Sequence, residues 1–330
     1  MSAEISPLRT ALWPLGLCYG VVAAVRNFAF DARWKRVQRA PVPVLSVGNL
    51  SVGGTGKTPT VLWLCELLRA RGQRPGVLAR GYGRAPSARL NDEGEMLQRR
   101  LPWLLQEQDP DRVAGAARLA AAGASTIVLD DGFQHRRLHR DLDLVCLDAT
   151  MPFSNGQCLP SGDLREWPSG LRRADLILLT RAGSLPAEQL DARIRRVRAF
   201  ARDPATPIYA CDHGPQDLLQ QPGGASLPLA VLAGARVVLL TAVARPDSVR
   251  ATAISLGAEV VHEIRYRDHH RFTAAQLDAA AAAARERDAK LLTTEKDDAR
   301  MQECEHERLV LRIGLKFLDG APSAAELMLP

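Results

Sequence analysis

The order of apolar and polar residues divides the chain into strand-like and helix-like blocks. Residues 10–25, TALWPLGLCYGVVAAV, carry no charge. The run is shorter than the roughly 20 residues a spanning helix requires, and Pro14, Gly16 and Gly20 interrupt it. Arg9, Arg26, Arg33, Lys35, Arg36 and Arg39 flank it. Trp13, Tyr19 and Phe28 suit headgroup depth and the arginines suit anionic lipid, so the pattern predicts a segment lying in a membrane interface. A helix packed on the protein's own core, or a signal or anchor segment, are the other readings of this run.

Downstream, PVPVLSVGNL is short, apolar and β-branched, the pattern of a buried strand. SVGGTGKT follows, and then the amphipathic TVLWLCELLRARG, which Gly72 ends. PGVLAR reads as the next strand. A helix is expected over 111–122, stopping at Gly123, and STIVLDDG, DLDLVCLDA and ADLILLT read as further apolar strands. Strands that are apolar throughout and alternate with helices predict a parallel sheet covered on both faces. Over 203–230 prolines and glycines cluster and the strand pattern lapses, which predicts a linker. Strand and helix patterns then alternate again through AGARVVLLTAV, PDSVRATAISLG, EVVHEIRY, TAAQLDAAAAAARER and AKLLTTEKD. The expected class is α/β. Residues 1–205 would form the N-terminal helix and a P-loop NTPase-type parallel sheet flanked by helices, and 206–330 the linker and a second, smaller α/β domain.

Composition narrows the picture only a little. Of 330 residues, 46% are hydrophobic and 24% charged, which excludes a disordered chain. The net charge of +6 fits an anionic partner or simply an Arg-rich surface. The arginines are spread out and not interleaved with aromatics, so nucleic acid is not expected as a partner. The six cysteines form no C-x-x-C pair and no zinc spacing, which fits a reducing compartment.

The strongest chemical signal is Ser51-Val52-Gly53-Gly54-Thr55-Gly56-Lys57-Thr58, set between strand and helix. Its glycines let backbone N–H groups curl around phosphate oxygens, and the helix N-terminus adds its positive dipole end. Lys57 would reach the β- and γ-phosphates and the Thr58 hydroxyl would ligate Mg²⁺. Ser51 stands where this motif usually has its first glycine. Asp130 and Asp131 end a buried strand, where a P-loop protein holds its Mg²⁺ shell; a solvated strand-end turn is the bland alternative. Arg80 and Tyr82, in Arg80-Gly81-Tyr82-Gly83-Arg84, suit phosphate contacts or a plain loop. Asp92-Glu93 opens an expected helix, where an acid also serves as a cap. Asp268-His269-His270, the 156–166 stretch with Arg165 and Glu166, and Thr294-Glu295-Lys296-Asp297 read from composition alone as ordered loops or caps.

Together these stretches resemble the tetraacyldisaccharide 4'-kinase family of the lipid A pathway. The resemblance is carried by SVGNLSVGGTGKTP, RGYGR, DDGFQHRRLHRDLDLVCLD, NGQCLPSGDLRE, ARPDSV, RYRDHHRF and LLTTEKD, in order over about 43–298. It implies transfer of the γ-phosphoryl group of ATP, with Mg²⁺, to the 4'-hydroxyl of an acylated glucosamine disaccharide 1-phosphate. The implied location is the cytoplasmic face of the inner membrane, with peripheral attachment. It further implies that Lys57 and Thr58 are the P-loop pair and that Asp130 and Asp131 serve metal and nucleotide. Asp92 would be the base that takes the hydroxyl proton, and His269 would orient it or tune its pKa from the second domain, the two meeting on domain closure. Arg80, Tyr82, Glu93, Arg165 and Glu166 would face substrate. The spacer before Asp92, RAPSARL, is shorter than the family's, and Asn91 replaces a glycine. A membrane-peripheral P-loop NTPase switch or metallochaperone-type GTPase is the alternative, although the chain has no N-K-x-D guanine motif.

Overall fold

The computed structural model describes residues 11–84, 88–268, 270–301 and 304–328. The chain divides into two compact units, the first made of 1–83, 103–213 and 315–330, the second of 84–102 and 214–314. This differs from a single cut after residue 205. The segment 84–102 joins the later half, and the C-terminal residues return to the first unit.

The first unit holds β1 (Val44–Gly48), β2 (Pro75–Ala79), β3 (Leu105–Gln108), β4 (Thr126–Asp130), β5 (Leu142–Asp148) and β6 (Leu176–Thr180). They pair in parallel in the order β6-β5-β1-β4-β2-β3, and the start of β7 (Ile208–Gln221) adds to β6. Every residue of β1, β4 and β6 is buried, which is why these strands read as unbroken apolar runs. Leu50, Phe133, Leu147, Phe153 and Ile177 pack on one side of the sheet. Val44, Leu78, Leu119 and Ile127 belong to a separate cluster. Chain order reverses direction around β1, since β4 and β5 flank it, and ligands bind at such points beyond the carboxyl ends of parallel strands.

The N-terminal helix Trp13–Asp31 contains Pro14 in its first turn, where the missing N–H costs nothing. Gly16 and Gly20 do not interrupt it. They are its buried face and let it approach closely. A Cβ on Gly16 would lie 2.1 Å from Ser161 Oγ, and one on Gly20 2.7 Å from the Trp167 ring. The opposite face stays uncovered, with Trp13 57%, Val22 68% and Phe28 57% exposed.

The second unit contains β8 (Ala225–Leu227), β9 (Arg236–Thr241), β10 (Glu259–Arg265), β11 (Lys290–Thr294) and β12 (Arg308–Phe317) up to Gly314. The order is β10-β9-β11-β12, parallel, with β7 beside β12 and β8 antiparallel on β7. The linker expected over 203–230 is therefore corrected. Most of it is the 14-residue β7 and its hairpin partner β8. Pro222, Gly223 and Gly224 make the turn, and β7 is half-buried along most of its length, so it carries no unbroken apolar run. Alternate residues of β9 serve two cores, Val237 and Leu239 with Leu292 and Leu311, Val238 and Leu240 with Leu277 and Met301. The helix Ala274–Glu286 starts on a capping box between Thr273 and Gln276.

Candidate active site

Gly48 ends β1, and the loop that follows opens the helix Lys57–Ala70. Three side chains pin the loop. The Asn49 amide donates to Ser51 O at 2.6 Å and to Thr55 Oγ1 at 2.9 Å. The Thr180 hydroxyl donates to Thr55 O at 3.0 Å. Arg181 donates to Gly54 O while pairing with Asp148. Gly56 has a φ of +83°, and a Cβ there would lie 2.4 Å from His213 Nε2, so only glycine fits. Ser51 instead makes a strand-like bridge with Leu164, and beside it Val52 N donates to Asp163 O at 2.7 Å. Serine in place of glycine is thus accommodated by extended pairing with the 157–166 loop.

Asp130 is buried at the end of β4, and Asp131 follows it with a left-handed φ of 55°. Lys57 Nζ stands 3.4 Å from Asp131 Oδ1, and Arg165 Nη1 lies 2.6 Å from Oδ2. Burial pushes the Asp131 carboxyl up, but Lys57 and then Arg165 outweigh it and hold the group below the usual carboxylate range. Among the described residues its buried Oδ1 has Lys57 at 3.4 Å and no closer donor. An anionic, under-satisfied oxygen beside the P-loop lysine fits a hard divalent cation, which takes oxygen ligands.

Two residues near this pair were invisible to motif reading. Arg112, first in the helix Arg112–Ala121, is buried and donates to Asp109 O at 2.6 Å. Burial pushes its pKa down, while the charges of Asp130 and Asp131 act to raise it. His135 is pushed down to about 4, first by burial and then by Arg112, Arg26, Arg137 and Arg140, so it is neutral at pH 7. Arg112 lies outside the stretches that carry the resemblance, whereas His135 lies within DDGFQHRRLHRDLDLVCLD, where no role was read for it.

Arg165 and Glu166 part company. Arg165 faces Asp131. Glu166 is buried, and its oxygens accept from Asn27 at 2.7 Å, from Gln134 at 2.9 Å and from Arg173 at 2.9 Å. It holds the loop and the N-terminal helix together, with both oxygens already engaged. A cavity of about 270 Å³ lies alongside, lined by Tyr19, Val22, Arg26, Gln134, Arg165 and Glu166. Arg80 and Tyr82 follow β2 and are exposed, Tyr82 at 86%.

In the second unit, Asp92 opens the helix Asp92–Arg100, and Asn91 caps it by accepting from Gly94 N at 3.0 Å. Asn91 is thus an N-cap, the role in which its short polar side chain excels. Asp92 Oδ2 accepts from Arg300 Nε at 3.0 Å. Glu93 lies 3.9 Å from Lys296. The expectation that Asp92 belongs to the P-loop domain is corrected, because 84–102 is part of the second unit with 214–314. His269 lies outside the described residues.

The family model described as tetraacyldisaccharide-1-P 4'-kinase matches residues 8–329. A tetraacyldisaccharide 4'-kinase of Anaeromyxobacter sp. (strain Fw109-5) is 42% identical over 309 residues, covering 88% of this chain and 82% of the relative. One of Syntrophus aciditrophicus (strain SB) is 36% identical over 324 residues, with 90% and 85% covered. Among solved structures, LpxK from Aquifex aeolicus in complex with ATP is similar with a TM-score of 0.74 at 28% identity. That match covers 94% of this chain and 96% of the other.

Proposed function

The chain belongs to the tetraacyldisaccharide-1-P 4'-kinase family, and we propose that it transfers the γ-phosphoryl group of ATP to the 4'-hydroxyl of a tetraacylated glucosamine disaccharide 1-phosphate in lipid A biosynthesis. The observation that carries this reading is the phosphate cradle of residues 51–58, with Lys57 set 3.4 Å from Asp131 at the end of β4. The kinase match over residues 8–329 sets aside the switch and GTPase alternatives.

Each residue has a task. Backbone N–H groups from Ser51 to Gly56 surround the phosphates, and Lys57 meets the β- and γ-oxygens. Thr58, Asp130 and Asp131 would hold magnesium, which when bound neutralises charge on the phosphates. Asp92 takes the proton of the attacking sugar hydroxyl, a poor nucleophile at neutral pH, and His269 orients Asp92. Arg80, Tyr82 and Arg165 contact the phosphorylated sugar, and Glu93 lies beside the base.

The lipid substrate suits the helix Trp13–Asp31. No helix among the described residues is long and apolar enough to cross a membrane. The uncovered aromatic and aliphatic face of this helix supports peripheral attachment to the cytoplasmic side of the inner membrane.

The test is a phosphoryl-transfer assay with γ-labelled ATP, Mg²⁺ and tetraacyldisaccharide 1-phosphate in detergent micelles. Label should enter the lipid and fall at least about 10²- to 10³-fold with Lys57→Ala. ATP hydrolysis with no labelled lipid would refute the proposed acceptor.

A further inference from the structure

The turn Thr294-Glu295-Lys296-Asp297 and the nearby Arg300 have no part in the scheme above, yet they form a cluster of ionic contacts within the second unit. Four of these contacts reach the helix Asp92–Arg100. Arg100 Nη1 lies 3.0 Å from Glu295 Oε2, with side chains 4% and 14% exposed. Arg99 Nη1 donates to Asp298 O at 2.9 Å. Lys296 lies 3.9 Å from Glu93. Arg300, its side chain only 3% exposed, donates from Nε to Asp92 Oδ2 at 3.0 Å and from Nη1 to Ala242 O at 3.0 Å.

The chemistry of this turn explains why the contacts converge. Thr294 caps the short helix Glu295–Asp298, accepting from Asp297 N at 3.2 Å and donating to Asp297 Oδ2 at 2.7 Å. Asp297 is fully buried, and burial pushes its carboxyl up. Arg300 Nη1, 3.4 Å from Oδ1, acts against that shift. The guanidinium is thereby fixed on one side by Asp297 and by the carbonyl of Ala242, just past the C-terminal end of β9. Its remaining edge presents Nε to Asp92. Arginine's planar fork makes such a fixed presentation possible where a lysine would swing.

We propose that Arg300 is a positioning residue for the phosphoryl transfer. It is held by the Thr294–Asp297 turn and fixes the direction of the Asp92 carboxylate. The inference rests on the reading of Asp92 as the base. It gives the last charged motif of the chain a role in the reaction geometry. A carboxylate that accepts a proton from a sugar hydroxyl must sit within hydrogen-bond reach of it, and a misplacement near 1 Å can cost about 10²-fold in rate. Asp92 is the first residue of a nine-residue helix, and Arg300 ties that helix end to the sheet.

The experiment compares kcat, KM for ATP and Tm for the full chain carrying Arg300→Gln, Arg300→Lys, Asp92→Asn, and each arginine variant combined with Asp92→Asn. Arg300→Gln should lower kcat about 10- to 100-fold with KM for ATP unchanged. Arg300→Lys keeps the charge but not the fork and should lower kcat about 3- to 10-fold. On the Asp92→Asn background neither change should lower kcat further, because the group being positioned is gone. Should the glutamine variant fail to fold, the lysine variant carries the same comparison. Equal fold losses on both backgrounds, or wild-type kcat in a folded Arg300→Gln protein, would overturn the proposal. Near-normal kcat in Asp92→Asn alone would instead overturn the base assignment, and the two failures are read from different proteins.

Discussion

Arg165 and Asp131 meet at 2.6 Å although 34 residues of chain separate them. The contact joins the 157–166 loop to the end of β4 and gives Asp131 a second cation opposite Lys57. Arg165→Ala should therefore lower kcat about 10- to 100-fold, because Asp131 loses one of the two charges that fix it. The pair is partly exposed, so Tm should move little. Steady-state kinetics and a thermal melt check both halves; a large Tm drop with normal kcat would reverse the assignment.

Lys57→Ala should remove transfer by at least about 10²- to 10³-fold, the usual cost of deleting a charge-stabilising donor. The fold should survive, since the loop is pinned by Asn49, Thr180 and Arg181 and not by Lys57. Residual transfer in a labelled-ATP assay, beside a near-wild-type circular dichroism melt, is the expected result.

Glu166→Ala should act on stability. It strands the Arg173 guanidinium, whose side chain is 15% exposed, and the Asn27 and Gln134 donors. Breaking a buried pair from one side costs about 3–5 kcal/mol, measurable as a lower urea midpoint with unchanged slope. A fully stable Glu166→Ala protein with impaired KM for the lipid would return this carboxylate to substrate binding.

His135 sets an acid limb. In the folded protein its pKa is depressed to about 4 from 6.5. Between those values the unfolded chain takes up a proton that the folded protein does not, so stability falls as pH drops through the window and the loss is complete below about 4. His135→Gln should flatten the fall of Tm between roughly pH 6.5 and 5 relative to wild type. Parallel curves would exclude His135 as the titrating group.

Val22→Asp and Phe28→Asp place charge on the open face of the Trp13–Asp31 helix, at positions 68% and 57% exposed. Each should reduce sedimentation with anionic vesicles several-fold and leave Tm within a degree or two, since little native contact is lost. Unchanged vesicle binding would remove the helix from the membrane contact.

How much of this was legible in the sequence depended on burial. β1, β4, β5 and β6 are buried nearly throughout, so their apolar runs announced them. β3 (LQEQ) is half-buried and polar, and the helix Ala187–Arg198 is largely exposed and Arg-rich, so neither left an apolar signature. Lys57, Thr58 and Asp131 stood out as candidates because phosphate chemistry dictates their spacing. Thr180 and Arg181 were not, since they reach the loop across more than 120 residues of chain; Asn49 is only six residues from Thr55, but no phosphate chemistry fixes its side chain. Arg300 and Asp92 stand 208 residues apart, and no local pattern encodes that pairing.

The chain passes from one unit to the other between Gly83 and Arg84, Pro102 and Trp103, His213 and Gly214, and Gly314 and Leu315. Phe317 stacks edge-on against Trp63, Glu326 accepts from the Tyr209 hydroxyl at 2.8 Å, and Leu327 is wholly enclosed. The phosphate-binding unit therefore cannot finish packing until the 214–314 insertion has been made and 315–327 follow it, so a nascent chain stalled before Leu315 would expose the seat of Phe317 and Leu327 to chaperones and proteases.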